Sequence, residues 1–79
     1  MPQDGQSTDK TPKPGDRIVV KRSDGQYDVR KIGASGEIEA VRTGIASLEQ
    51  ARHIARANLQ LRGRMWVEDH SAPNVFDRL

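Results

Sequence analysis

Two runs, Arg17 to Arg22 and Gln26 to Ile32, set apolar among polar positions, are rich in β-branched and aromatic residues, and flank Asp24-Gly25. That dipeptide suits the two central positions of a type I′ turn, both of which need a positive φ, so the pattern predicts a β-hairpin with a two-residue loop. The register follows: Val20 lies opposite Val29, Lys21 opposite Asp28, Val19 opposite Arg30 and Ile18 opposite Lys31. Cross-strand partners share a face. Ile18, Val20, Tyr27 and Val29 therefore point to a core, and Arg17, Val19, Lys21, Asp28, Arg30 and Ile32 form an outer face, with an ion pair expected between Lys21 and Asp28.

Gly33 to Gly36 reads as a turn, and Glu37 to Thr43 alternates again as a third antiparallel strand with Ile38 and Ala40 inward. Ser47 opens a capping box with Gln50, so a helix should start at Leu48. Leu48, Ala51, Ile54, Ala55, Asn58, Leu59 and Arg62 fall on one stripe at helical spacing; Glu49, Arg52, His53, Arg56 and Gln60 fall opposite. Gly63 suits the left-handed position after a helix, which places the helix end near Arg62. Arg64 to Glu68 reads as a short strand with Met65 and Val67 on one face and Trp66 on the other. Val75 and Phe76 bring the tail back onto the core, as a short edge strand. The fold class is α+β: a three- to four-stranded antiparallel sheet in β-β-β-α-β order, packed on one amphipathic helix.

Composition alters this picture at the N-terminus. Met1 to Asp16 holds three of the four prolines and no hydrophobic periodicity, so residues 1–16 read as a disordered tail, with Pro14-Gly15-Asp16 marking entry to the first strand, and residues 17–79 as one domain. A chain of 79 residues buries only roughly 60% of the surface its unfolded form exposes, which leaves a small margin of stability. The absence of cysteine excludes a disulfide scaffold and a thiolate metal site. No stretch has the roughly 20 apolar residues of a membrane span, and Met1 to Asp16 has no signal-like apolar run, so a cytoplasmic protein is expected.

The net charge of +2 is unevenly spread: Arg17 to Arg64 carries ten basic and five acidic residues. That excess raises a polyanion as a partner. Arg17, Lys21 and Arg30 could meet phosphates on the outer sheet face, and Arg52 with Arg56, one helical turn apart, could hold an anion or be neutralised by Glu49 and Glu39. Basic residues on strands also serve simply to keep sheet edges from pairing. Trp66 on the outer face could stack on a base, anchor a protein partner, or bury itself against Val19, Ile32 and Phe76. His53 and His70 have no companion at metal-ligand spacing, and Ser35, Ser47 and Ser71 have no His and acid in a recognisable order, so neither cofactor nor catalysis is expected.

The hairpin Asp24-Gly25-x-Tyr27-x-Val29, the helix start Ser47-x-x-Gln50-Ala51, the stretch Ala51-Arg52 to Ala55, and Trp66-Val67 together resemble a small bacterial family, domain of unknown function 2188, over about Ile18 to Val67. The part before the helix is also similar to the arm-type DNA-binding domain of phage integrases. That second resemblance implies DNA contacts from Arg17, Lys21, Arg30 and Arg42. Two functions follow as expectations. The first is a non-catalytic protein-interaction or accessory module that meets a partner or a second copy through Val19, Ile32 and Trp66. The alternative is a weak nucleic-acid-binding module using the basic outer sheet face, with Arg52 and Arg56 as further anion contacts.

Overall fold

The computed structural model describes residues 11–59 and 61–79; positions 1–10 of the expected tail, and Gln60 on the helix, lie outside them. The chain runs β1 (Arg17–Lys21), β2 (Tyr27–Ile32), β3 (Ile38–Ile45), α1 (Leu48–Ala57), β4 (Met65–Asp69) and β5 (Phe76–Arg78). One five-stranded sheet in the order β3-β2-β1-β4-β5 backs onto the single helix. It is mixed rather than antiparallel, because β4 returns beside β1 in parallel while the other neighbours are antiparallel. The α+β class stands; the strand count and the all-antiparallel order do not.

β1 lies in the centre with both faces covered, which is what the uninterrupted run Ile18-Val19-Val20 serves. On the helix side Val19, Val29, Ile45, Ala51, Ala55 and Met65 are buried, with Tyr27, Val41, Ile54, Leu59 and Leu79 packed against them. Opposite, Ile18, Val20, Ile32 and Trp66 form a second apolar layer edged by Phe76. Each fully buried side chain of this size contributes about 1.5–3 kcal/mol relative to exposure. Ala51 and Ala55, with no exposed surface, give the helix a smooth underside on the sheet.

The hairpin has the expected turn residues but a different register. Val19, not Val20, lies opposite Val29, and Ile18 lies opposite Arg30. The Gly25 amide donates to the Arg22 carbonyl at 3.2 Å and the Arg22 amide to the Gln26 carbonyl at 2.8 Å, closing a three-residue loop Ser23-Asp24-Gly25. Gly25 alone takes a positive φ, +85°. Asp24 instead accepts the Gln26 amide on its carboxylate at 3.0 Å, so it has no need of the left-handed region. A one-residue slip reverses every side chain of a strand. Ile18 and Val20 therefore face away from the helix, Val19 faces it, and the Lys21 to Asp28 pair is replaced by Lys21 opposite Tyr27. The second hairpin repeats the device, with Gly36 at φ +88° and a 2.7 Å bond from the Gly33 amide to the Glu37 carbonyl.

In β3 the register shifts beside Val29, so Ile45 and Val41 meet the core while Ile38, expected inward, is 57% exposed and Ala40 is exposed. The helix begins as predicted: the Ser47 hydroxyl accepts the Gln50 amide at 3.1 Å. It ends at Ala57, five residues before Arg62, with Asn58 as cap and the Asn58 side-chain amide bonded to the Ile54 carbonyl at 2.9 Å. Gly63 is needed for a different reason from the one predicted. A Cβ there would collide with the Gly15 carbonyl oxygen.

That close approach belongs to the structure around Asp16. Thr11 to Asp16, assigned by composition to the tail, is placed on the domain, and Asp16 is only 5% exposed. The Asp16 carboxylate accepts from the Lys13 amide (2.9 Å), the Arg64 amide (2.9 Å) and the Trp66 indole N–H (2.8 Å). Pro14-Gly15 makes the turn, Gly15 with φ +94°, closed by the Asp16 amide on the Lys13 carbonyl at 2.9 Å. Asp16→Ala leaves the Trp66 and Arg64 donors without their acceptor and should cost about 2–4 kcal/mol in urea unfolding, whereas Asp16→Asn, which keeps one accepting oxygen, should cost less. Gly25→Ala should cost about 1–2 kcal/mol by the same measurement, from the left-handed backbone alone.

Candidate functional site

The six residues expected to share an interaction face are distributed over two. Arg17, Val19 and Lys21 lie on the helix side of the sheet, and Arg30, Ile32 and Trp66 on the other. Val19 is completely buried and Trp66 is 1% exposed, so neither offers an apolar contact to a partner, while Ile32, 8% exposed, shows only a margin in a surface groove. Trp66 takes the buried course among those weighed, with Ile18 and Val20 in the place expected for Val19. Its indole N–H is held by Asp16, and the Arg78 guanidinium lies 5.4 Å from its ring centre.

Arg17 is also internal. Its guanidinium donates to the carbonyls of Gly15 (3.2 Å), Asp16 (3.1 Å) and Asn58. Asn58 caps the carbonyl end of α1, where a cation meets the negative pole of the helix. Arg17 thus fastens the helix end to the entry of β1, and its buried guanidinium is turned to backbone carbonyls rather than outward to a phosphate. Lys21 stays exposed and Arg30 half-buried, on opposite faces. Asp28 bonds Arg22 at 3.4 Å and accepts the Gly44 amide at 3.0 Å, and Glu39 pairs with Lys31 at 3.7 Å rather than with a helix arginine.

Arg52 and Arg56 remain where the helical periodicity put them, exposed on the solvent side of α1. With Glu49 and His53 they line a shallow concavity of about 320 Å³. Arg56 also lines the next one, about 260 Å³, with Leu59, Gly63, Arg64, Met65 and Arg78. Arg64 in turn lines a third, about 280 Å³, with Lys13, Pro14, Asp16 and Arg62. Shared walls make these three a continuous track around the carbonyl end of the helix. Among the described residues, no ion pair within 4.0 Å engages Arg52, Arg56, Arg62, Arg64 or Arg78. The side-chain acids in the walls are Asp16, whose carboxylate also accepts three N–H donors, and Glu49, two negative charges against five guanidiniums.

Sequence reading missed Arg62, Arg64 and Arg78 as part of this group. The available signal was Arg62-Gly63-Arg64, two bases around the glycine taken as a helix cap; nothing in the sequence places Arg78 beside them. Other surfaces lack comparable chemistry. A larger concavity of about 410 Å³ is walled by Arg17, Lys31, Glu37 and Glu39, whose charges balance. The free edge of β3 is bulged, carries Glu39 and Arg42, and bends at Gly44 (φ +68°), while β5 at the other edge has three residues; both are poor templates for strand addition.

Among the described residues no group of three or more His, Asp or Glu is placed to hold a metal ion, and no helix is long and apolar enough to cross a membrane. The chain matches no family model, no curated protein and no solved structure. Its class is therefore defined by the fold alone, a one-helix α+β domain with a two-sided mixed sheet.

One titration is set by local structure. The Ser71 amide (3.0 Å) and then the Ser71 hydroxyl (2.9 Å) donate to the Asp69 carboxylate and lower its pKa, helped by His70 and Lys21. Since the folded value is the lower one, ionised Asp69 supports the β4–β5 turn above its ordinary pKa, and that support is lost as pH falls through the folded value. In an NMR titration, Ser71→Ala should move the Asp69 pKa upward, part of the way to an ordinary aspartate.

Proposed function

We propose that this domain is a non-catalytic binding module that takes the phosphate backbone of a nucleic acid along the track from Arg52 to Arg62. The observation that carries the reading is the set of five arginines lining three adjoining concavities, with no carboxylate paired to any of them among the described residues. Guanidinium groups supply both charge and paired N–H donors for phosphate oxygens. Arg52 and Arg56 repel mildly at four-residue spacing, a cost of about 0.2–0.5 kcal/mol that an anion between them removes. The basic surface lies on the helix and the loop that follows it rather than on the outer sheet face.

A second reading, a protein-interaction or accessory module, rests on one observation. On the face away from the helix, Pro12, Pro14, Ile18, Ile32, Ile38 and Phe76 line an apolar groove of about 220 Å³, with Ile38 more than half exposed. A second copy seated there would make sedimentation depend on concentration, and Ile38→Asp would abolish that dependence.

The leading reading is tested by amide NMR of the labelled chain at low salt with mixed-sequence DNA and RNA. Shifts should gather on Arg52, Arg56, Arg62, Arg64 and Arg78, fade at physiological salt, and spare Arg30. Arg52→Ala/Arg56→Ala should weaken binding at least about tenfold without loss of thermal stability. Unchanged spectra in low salt would remove the reading.

A further inference from the structure

The reading above leaves open which form of nucleic acid the track takes. We infer that the partner is a duplex, held through its sugar–phosphate backbone without base recognition; the inference rests on the arginine track as the binding site. Single-strand binders gain much of their affinity from aromatic side chains on which bases stack. This chain has one Trp, one Tyr and one Phe, and among the described residues none of the three lines the track, where the His53 imidazole is the one ring. Trp66 is buried, its N–H bonded to Asp16 and its ring covered by Arg78; Tyr27 packs against the helix-side core; Phe76 packs against the opposite layer.

Base edges are read by Asn, Gln and Ser as well as by Arg, and among the described residues the three concavities have no Asn, Gln or Ser in their walls. Asn58 at the helix end is turned inward to the Ile54 carbonyl. What dominates the described walls is charge, from five arginines. Affinity from charge alone is greatest for the polymer with the highest linear charge density, and a duplex carries about one phosphate charge per 1.7 Å of axis, about twice that of either strand. Arg52 and Arg56, one turn apart, advance about 6 Å along the helix and present two guanidiniums in a row to such a backbone. Arg78 links the site to a signal, because it lines the central concavity while resting on Trp66, the single tryptophan of the chain.

The test is fluorescence anisotropy of the full chain with a labelled mixed-sequence duplex of about 20 base pairs, a shuffled duplex of the same length, and one separated strand, each across a salt series. The duplex should bind at least about threefold more tightly than the strand, and the two duplexes should agree within that factor. The slope of log K against log salt should be about −3 to −4, and Arg52→Ala/Arg56→Ala should make it shallower by about 2. Trp66 emission should change on binding in the parent, and the change should vanish in Arg78→Ala. A strand that binds as tightly as the duplex, or duplexes that differ more than about threefold, overturns duplex-backbone recognition while leaving the arginine track as a polyanion site. Absence of salt-dependent binding to all three overturns both.

Discussion

Asp16 is the residue at which three otherwise separate parts of the chain are tied: the turn before β1, the end of β2 and the start of β4. Its carboxylate receives the indole of Trp66 from the layer opposite the helix, the amide of Arg64 at the start of β4, and the amide of Lys13 from the turn before β1. The Asp16 backbone carbonyl meanwhile accepts Ile32 at the end of β2. A buried carboxylate is costly unless its oxygens are satisfied, and three N–H donors satisfy it. The same arrangement brings Gly15 against Gly63 so closely that neither backbone can be displaced by a side chain on Gly63. Arg17, the next residue, fastens the helix end. Two consecutive charged residues thus hold the N-terminal turn, the sheet and the helix together.

A sheet covered on both faces is demanding for a chain of this size, and it explains where charge is left for function. The apolar residues that could have met a partner are spent on two thin layers, one under the helix and one around Trp66. Arg17 is drawn inside with them. Cations on the solvent side of α1 and in the loop after it are needed by neither layer, and they stand together because the helix ends early and the loop turns back towards β4 and β5. The basic surface is made from what the packing leaves unused.

Much of the local structure was legible. Ser47 with Gln50 marks the helix start because a hydroxyl three residues before an amide is a local geometry. Met65 and Trp66 point apart because a strand alternates. Arg52 and Arg56 are neighbours on the solvent face because a helix repeats every 3.6 residues. The faults lie where local preference admits two solutions. Asp24-Gly25 suits a two-residue loop and a three-residue loop equally in composition, and the choice of the second reverses the facing of Ile18, Val19 and Val20. Gly63 suits a helix cap, but its position is required by Gly15, 48 residues away in sequence.

By itself the sequence determined the class of the domain, the place of the first hairpin though not its loop length, the start of the capped helix, the two-sided character of the β4 strand and the first two arginines of the track. These are set by interactions among residues a few positions apart, which periodicity and turn chemistry record. The tertiary structure alone decided the register of the first hairpin, the parallel pairing of β1 with β4, the burial of Asp16 and Arg17, and the gathering of Arg62, Arg64 and Arg78 beside Arg56. Each of these depends on which distant surfaces can be buried against each other, and a chain pattern that repeats every two or 3.6 residues carries no information about contacts separated by tens of residues.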